Sequence, residues 1–157
     1  ASPGMGSRLK MINQLLCGVH IAAMAEAMTL GAKLGIDLQQ LYDVICNCAG
    51  SSWMFENRGK HIVKGDYTPH SAVDIFVKDL NIVTSEAGEA GMSTPLASSA
   101  LALFEAASAA GLGGEDDAAV AKILATDAGI ELPRRTKPES PVAANAKDRT
   151  CSKADGG

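Results

Sequence analysis

Apolar residues recur along the chain at helical spacing, and glycines, prolines and capping residues divide them into six segments. The strongest segment runs from about Ser7 to Leu34. Large apolar side chains return there at steps of three, four or seven residues, as expected for one helix face: Leu9, Ile12, Leu16, Val19, Ala23 and Leu30. A second face holds small residues that would let another helix approach closely: Gly18, Ala22, Ala25 and Thr29. The pattern predicts a long helix that is buried on most sides.

Five shorter helices are predicted after the stop signal at Gly35. Their expected limits follow from cap residues, prolines and glycines: Asp37 to about Cys48, Trp53 to Val63, Ser71 to about Ala90, Thr94-Pro95 to about Ala110, and a last helix that begins at Glu115-Asp116-Asp117. No segment has the character of a strand. The predicted fold class is therefore all-α, a six-helix domain with one long core helix.

The composition changes after Gly129. Residues 131–157 contain three prolines, end in Gly-Gly and show no apolar periodicity. Such a segment lacks the apolar surface that folding requires. The sequence predicts a helical domain over residues 1–130 and a disordered tail over 131–157.

Charge and cysteine usage exclude several classes of protein. The net charge of −4 argues against a general nucleic-acid binder. The apolar run Leu9–Leu34 is interrupted by polar residues and does not suit a membrane span, which needs about 20 nearly uncharged residues. The four cysteines have neither redox nor zinc spacing, and the three histidines suggest no metal site. We expect reduced thiols and a cytoplasmic protein without a metal.

Lys10, Asn13 and Gln14 form the first candidate for chemistry. At positions i, i+3 and i+4 of a helix, an ammonium group and two amides project from one face. A lysine held against apolar surface is suited to acid–base work because its charged form is disfavoured there. The alternative is a helix-end lysine that extends its ammonium group into solvent.

Three weaker candidates accompany this face. Gly4-x-Gly6 permits close approach to the start of the helix, but no G-x-G-x-x-G motif or P-loop is present. The segment 51–58 includes Ser52 and Trp53 and could line a polar substrate pocket, or could be a helix cap followed by core aromatics. Asp74, Lys78 and Asp79 could form a site or a surface ion pair of little energetic weight.

Together these motifs resemble a known family. The pattern Gly4-x-Gly6-x-x-x-Lys10-x-x-Asn13-Gln14 is similar to the interdomain-helix signature of the β-hydroxyacid dehydrogenases, and Phe76-Val77-Lys78-Asp79-Leu80 continues the likeness. The resemblance covers about residues 4–126. Within the family, the segments 49–58 and 65–76 look most like members that act on L-threonate.

The resemblance implies a role for each motif. Family members join an N-terminal Rossmann domain, which binds NAD or NADP, to a helical domain of the 6-phosphogluconate dehydrogenase C-terminal type. Lys10 matches the acid–base lysine. Asn13 matches a substrate-holding asparagine, and we group Gln14, Gly4, Gly6, Ser52 and Trp53 with it as substrate-binding candidates. Lys78, with Phe76 beside it, matches the lysine that lies against the cofactor.

The chain also departs from the family pattern, because the glycines of the cofactor site and the segments that bind the substrate carboxylate are missing. We therefore expect the chain to be inactive alone. Two alternatives to L-threonate oxidation stay open. One is a dehydrogenase of the tartronate semialdehyde or 3-hydroxyisobutyrate type, and the other is a non-catalytic oligomerisation module. The resemblance implies a homodimer or homotetramer formed through the helical domain.

Overall fold

A computed structural model describes residues 4–135, and this part of the chain folds into six α-helices without a strand. The helices span Met5–Lys33 (α1), Leu38–Ile45 (α2), Trp53–Lys64 (α3), Val73–Glu89 (α4), Pro95–Ala107 (α5) and Val120–Ala128 (α6). An isolated antiparallel bridge pairs Ala72 with Asp116. The prediction of six helices in an all-α domain is confirmed.

Helix α1 is the central element, because it contacts each of the other five α-helices. Its small residues face inward: Gly18, Ala25 and Thr29 are buried. A β-carbon built on Gly18 would lie 2.9 Å from both terminal carbons of Leu80, a fully buried residue of α4. The close approach expected at this face is therefore made inside the domain, where α1 meets α4.

The large apolar face of α1 lies on the outside of the domain. Leu9, Ile12, Leu16 and Leu30 are 64, 51, 48 and 58% exposed, respectively. The sequence predicted burial on most sides, and the described residues cover only one side of the helix. The reason is that the methionines and small residues of α1 pack against the neighbouring helices and leave the leucine side open. We call Leu9, Ile12, Leu16 and Leu30 the outer stripe.

Helix α1 and the helix Pro95–Leu112, which is α5 extended by a π turn, are long and apolar enough to cross a membrane by length and composition. This is weak evidence for a membrane span, because the core helices of a globular domain have the same character. Here α1 packs against every other α-helix.

Capping residues set two of the helix starts, at Asp37 as predicted and at Ser52, where a cap was the alternative to a place in the pocket. The Asp37 side chain accepts a hydrogen bond from the amide of Gln40, and Ser52 accepts one from the amide of Phe55. Helix α4 differs, since its N-cap is Ala72 rather than Ser71 and makes no side-chain cap bond. The carbonyl of Ser71 instead accepts from the amide of Asp117 over 2.8 Å.

The connection between α5 and α6 positions the acidic residues of the site. A π-helical turn, Ser108–Leu112, leads to Asp116, which caps a short 3₁₀ helix, Asp117–Ala119. The predicted sixth helix thus begins as a 3₁₀ turn before α6. Both Asp116 and Asp117 are fully buried.

The start of the predicted tail packs against the domain. The amide of Arg135 donates to the carbonyl of Gly65, the Arg135 guanidinium lies 3.1 Å from Asp66, and Leu132 packs on the core. Residues 131–135 thus make contacts that the prediction of a disordered tail did not include. The rest of that prediction, residues 136–157, lies outside the described residues.

Candidate active site

A pocket of about 320 Å³ lies between α1, α3, α4 and the 3₁₀ turn. Its polar lining comes from Asn13, Gln14, Cys17, Arg58, Ser71 and Asp117, and its apolar lining from Trp53, Met54 and Phe76. A volume near the lower end of the usual range for ligand pockets, about 300–1,000 Å³, suits a small molecule. Four residues selected from the sequence therefore line one cavity.

Larger depressions lie elsewhere on the domain. One of about 650 Å³ and one of about 660 Å³ are both lined in part by residues 131–133. Neither contains any of the residues selected for chemistry. We take the pocket of about 320 Å³ as the candidate site because polar side chains of α1, α3, the 3₁₀ turn and the loop residue Ser71 converge there.

Gln14 ties α1 to α4 at the edge of the pocket. Its Nε2 donates to Oδ2 of Asp79 over 2.8 Å, and Oδ1 of Asp79 lies 3.1 Å from Nζ of Lys78. The ion pair in this region is therefore Lys78–Asp79. Asp74 makes no ion pair among the described residues, and it accepts a hydrogen bond from the hydroxyl of Ser108 over 2.6 Å.

Asn13 has a side chain that is available to a ligand. Its Nδ2 donates to Oε1 of Gln14 over 3.1 Å and contacts Sγ of Cys17 at 3.4 Å, while the residue stays exposed. Burial raises the pKa of the Cys17 thiol. The neighbouring thiol is therefore a neutral part of the wall at neutral pH.

Lys10 lies outside the pocket, three positions before Asn13 on the same helix. At about 1.5 Å of rise per residue, the two α-carbons are separated by roughly 4.5 Å along the helix axis. Lys10 is exposed, so the described residues do not supply the apolar surroundings that the sequence suggested. They leave its ammonium group in solvent, one helical turn before Asn13.

The two glycines before Lys10 have separate roles. Gly4 caps α1 with φ of 87°, a conformation that favours glycine, whereas Gly6 lies within the first turn. A β-carbon on either would meet no atom within 4 Å among the described residues. Neither glycine lines the pocket.

The remaining predicted residues are divided between surface and core. Trp53 is 65% exposed at the pocket edge, and Ser52 serves as the cap of α3 without lining the pocket. Phe76 is 2% exposed and stacks on Phe104 with ring centroids 5.1 Å apart. The side chain of Lys78 is 68% exposed. Among these predicted cofactor contacts, Lys78 is the one that a dinucleotide could reach directly from solvent.

A buried ion pair forms the inner wall of the pocket. Nε of Arg58 donates to Oδ1 of Asp117 over 2.8 Å, with exposures of 10% and 0% for the two side chains. Burial raises the pKa of Asp117 to about 7; Asp116 acts in the same direction, and Arg58 opposes the rise. Sequence reasoning grouped Arg58 with the pocket segment and treated Asp117 only as a helix-start acid, so it missed the pair.

Asp116 connects this wall to a histidine on the far side. Its Oδ2 accepts from the amide of His70 over 2.9 Å, and its Oδ1 lies 3.6 Å from Nδ1 of His61. Burial lowers the pKa of His61, although Asp116 acts against that shift. The two adjacent aspartates thus hold together α3, the 65–72 loop and the 3₁₀ turn.

Comparison with known proteins agrees with this geometry. Residues 4–124 match the family described as "NAD-binding of NADP-dependent 3-hydroxyisobutyrate dehydrogenase". This all-helical domain with a polar pocket therefore belongs to the β-hydroxyacid dehydrogenase family, whose cofactor is NAD or NADP.

Particular members of the family are close in sequence. The chain is 61% identical over 133 residues to L-threonate dehydrogenase of Escherichia coli (strain K12), which covers 85% of this chain and 43% of that protein. It is 58% identical over 137 residues to L-threonate dehydrogenase of Cupriavidus necator, covering 87% and 45% of the two proteins. The chain thus spans less than half the length of these relatives.

Solved structures share the fold. The 3-hydroxyisobutyrate dehydrogenase of Salmonella typhimurium superimposes with a TM-score of 0.77 at 61% identity, over 78% of this chain and 43% of that one. The Mycobacterium tuberculosis 3-hydroxyisobutyrate dehydrogenase studied with L-serine gives a TM-score of 0.70 at 29% identity, over 77% and 44%. The helical domain is therefore common to family members with different names.

Proposed function

We propose that this chain is the helical substrate domain of an NAD(P)-dependent cytoplasmic enzyme that oxidises L-threonate to its 2-oxo acid. The observation that carries the proposal is the pocket, in which Asn13, Gln14 and Trp53 meet one helical turn from Lys10. The high identity to L-threonate dehydrogenases supports this choice of substrate. We also assign the domain to the 6-phosphogluconate dehydrogenase C-terminal type, with its boundary near residue 130.

Lys10 is the proposed acid–base group. A bound nicotinamide cofactor would supply the hydride acceptor for the carbon that carries the reacting hydroxyl. Nζ of Lys10, in its neutral form, takes the proton of that hydroxyl, so that the C–O bond becomes a carbonyl as the hydride leaves. The position of Lys10, one helical turn before the pocket residue Asn13 on α1, supports this role.

The other residues bind and orient. Asn13 holds the substrate through its amide, and Gln14, fixed by Asp79, keeps the adjacent wall in place. Trp53 covers the outer side of the pocket. Lys78 offers an exposed ammonium group to the phosphates or ribose of the dinucleotide, with Phe76 supporting the helix from which it projects. Most of the cofactor contacts come from a nucleotide-binding domain.

The proposal is tested with the holoenzyme, meaning this chain together with a nucleotide-binding domain. Formation of reduced cofactor is followed with L-threonate, 3-hydroxyisobutyrate and glycerate at equal concentrations. We expect kcat/KM for L-threonate to exceed the others by at least about tenfold, as one well-placed polar contact can supply. A higher kcat/KM for 3-hydroxyisobutyrate would contradict the choice of substrate. Oxidation of none of them would contradict the proposed activity.

Two other functions have support from particular observations. The Salmonella relative named 3-hydroxyisobutyrate dehydrogenase favours that substrate, or the related tartronate semialdehyde, as the alternative. The outer stripe of α1 favours a role in association, either as a homodimer or homotetramer of the enzyme or as a non-catalytic oligomerisation module.

A further inference from the structure

Arg58 presents hydrogen-bond donors that the domain itself does not use. Its Nε is held by Asp117 over 2.8 Å, and within residues 4–135 neither of its Nη groups makes a hydrogen bond. A guanidinium group is a rigid fork, so fixing Nε also fixes the direction of the remaining N–H bonds. Arg58 lines the pocket, and a ligand there meets donors that are already oriented.

Asp117 supplies the complementary group. It is fully buried and lines the same pocket, and its Oδ2 has no hydrogen-bond donor among the described residues. An unsatisfied buried acceptor costs about 1–3 kcal/mol, which a ligand that donates to it would recover. The inner wall thus offers both unused donors and an unused acceptor.

A hydroxyl group matches this combination better than a carboxylate does. A hydroxyl accepts one hydrogen bond and donates another, so it can accept from Arg58 and donate to Asp117 at the same time. Above about pH 7, where Asp117 is ionised, a ligand carboxylate would only accept and would face the oxygens of Asp117 with like charge. The inner wall therefore suits an alcohol.

The pair lies away from the reacting end of the site. Arg58 and Asp117 line the pocket together with Cys17, which is seven positions after Lys10 on α1. Seven residues of helix correspond to roughly 10 Å along its axis. A small acid whose reacting hydroxyl is near Lys10 would extend its far end toward the Arg58–Asp117 pair.

We propose that the Arg58–Asp117 pair binds the non-reacting hydroxyls of the substrate and so makes the pocket select polyhydroxy acids over acids with an unsubstituted tail. This proposal rests on the proposed function, because it assumes that a hydroxy acid reacts at Lys10. It adds a specificity-determining pair to that site.

The test measures a ratio of substrates in the NAD(P)-loaded holoenzyme. Wild type and variants are assayed with L-threonate and with 2-hydroxybutyrate of the same C2 configuration, which has the same carbon chain without the C3 and C4 hydroxyls. In Arg58→Lys, which keeps the charge but loses the fork, we expect the ratio of the two kcat/KM values to fall roughly ten- to a hundredfold. A purely structural role would lower both kcat/KM values together and leave the ratio unchanged.

A second variant keeps the test valid if Arg58→Lys does not fold. Removing one partner of a buried pair is strongly destabilising, whereas replacing both with apolar residues of similar size is often tolerated. The double variant Arg58→Met, Asp117→Leu should therefore fold and should show the same fall in ratio. Lys60→Met is the matched control, since Lys60 is on α3 outside the pocket, and it should keep the wild-type ratio.

The outcomes separate this inference from the proposed function. If wild type fails to oxidise L-threonate, the proposed function is wrong and the inference fails with it. If wild type oxidises L-threonate but the variants keep its ratio within about twofold, a change too small for a lost hydrogen bond to a charged group, only the inference is overturned.

Discussion

Arg58 and Asp117 are 59 positions apart, yet they form one wall of the pocket over a distance of 2.8 Å. Helical spacing identified Asn13 and Gln14 because both follow Lys10 on one helix face, so local geometry was sufficient. The same reasoning could not connect α3 with the 3₁₀ turn, because that contact depends on how the helices pack. A run of acids before a helix also has an ordinary explanation as a cap, which concealed the role of Asp117.

The raised pKa of Asp117 leads to a prediction about stability. The folded protein holds this proton up to about pH 7, whereas the ordinary value is 3.8. The folded state therefore binds more protons than the unfolded chain between these limits, and the free energy of unfolding should fall as pH rises from about 4 to about 7. Asp117→Asn cannot lose a proton, so this contribution to the fall should be absent.

Urea unfolding of the 157-residue chain at several pH values checks this prediction. The difference in unfolding free energy between wild type and Asp117→Asn should decrease steadily from about pH 4 to 7 and then level off. Asp127→Asn, at an exposed position of α6, is the control and should run parallel to wild type. A constant difference between wild type and Asp117→Asn would contradict the raised pKa.

At the scale of the element, α1 shows why its buried side could not be read from the sequence. Both faces are apolar, one with large side chains and the other with small ones. The larger residues have more to gain from burial, so they were expected in the core. In the structure Gly18 and Ala25 face the neighbouring helices, because small residues permit the closest packing, and the outer stripe stays exposed within the described residues.

Gly18→Ala tests this packing. The added methyl group would lie 2.9 Å from the ends of Leu80, which is buried and has little room to move. Overpacking typically costs about 1–3 kcal/mol. That exceeds the roughly 0.5–1 kcal/mol that alanine gains over glycine in a helix, so the net effect should be destabilising.

Gly88→Ala is the matched control, because a β-carbon at this exposed position of α4 meets no atom within 4 Å. Only the helix preference of alanine acts there, so the melting temperature should stay level or rise slightly. Equal or higher stability in Gly18→Ala would show that α1 and α4 are not in close contact at Gly18.

At the scale of the whole molecule, the chain covers less than half of its relatives and contains no G-x-G-x-x-G motif. The family's name describes this segment as NAD-binding, whereas the described residues offer mainly Lys78 to a dinucleotide.

The all-α class and the number of helices could be predicted because caps and glycines mark them locally. The preference for NAD or NADP could not be predicted, because in enzymes of this kind a separate nucleotide-binding domain determines it.

Calorimetry of the 157-residue chain with NAD and NADP tests whether the helical domain binds the cofactor by itself or depends on a separate nucleotide-binding domain. We expect no binding with a dissociation constant in the micromolar range, since one exposed lysine replaces neither the phosphate-binding turn nor the ribose contacts of a nucleotide-binding domain. Micromolar binding would mean that the helical domain holds the cofactor itself. Lys78→Ala would then show whether Lys78 is responsible.

The central claim, that Lys10 moves the proton of the substrate hydroxyl, is tested most directly by the rates of Lys10 variants in the holoenzyme. Lys10→Ala should lower kcat for L-threonate by about 10²–10⁴-fold, the usual contribution of an acid–base group, with a much smaller effect on KM. Lys10→Arg should not restore the rate, because a guanidinium group keeps its proton near neutral pH. Arg8→Ala, which removes another exposed cation of α1, should keep the wild-type rate. If Lys10→Ala retains most of the wild-type kcat, Lys10 is a solvent-facing helix-end lysine and the proposed mechanism is wrong.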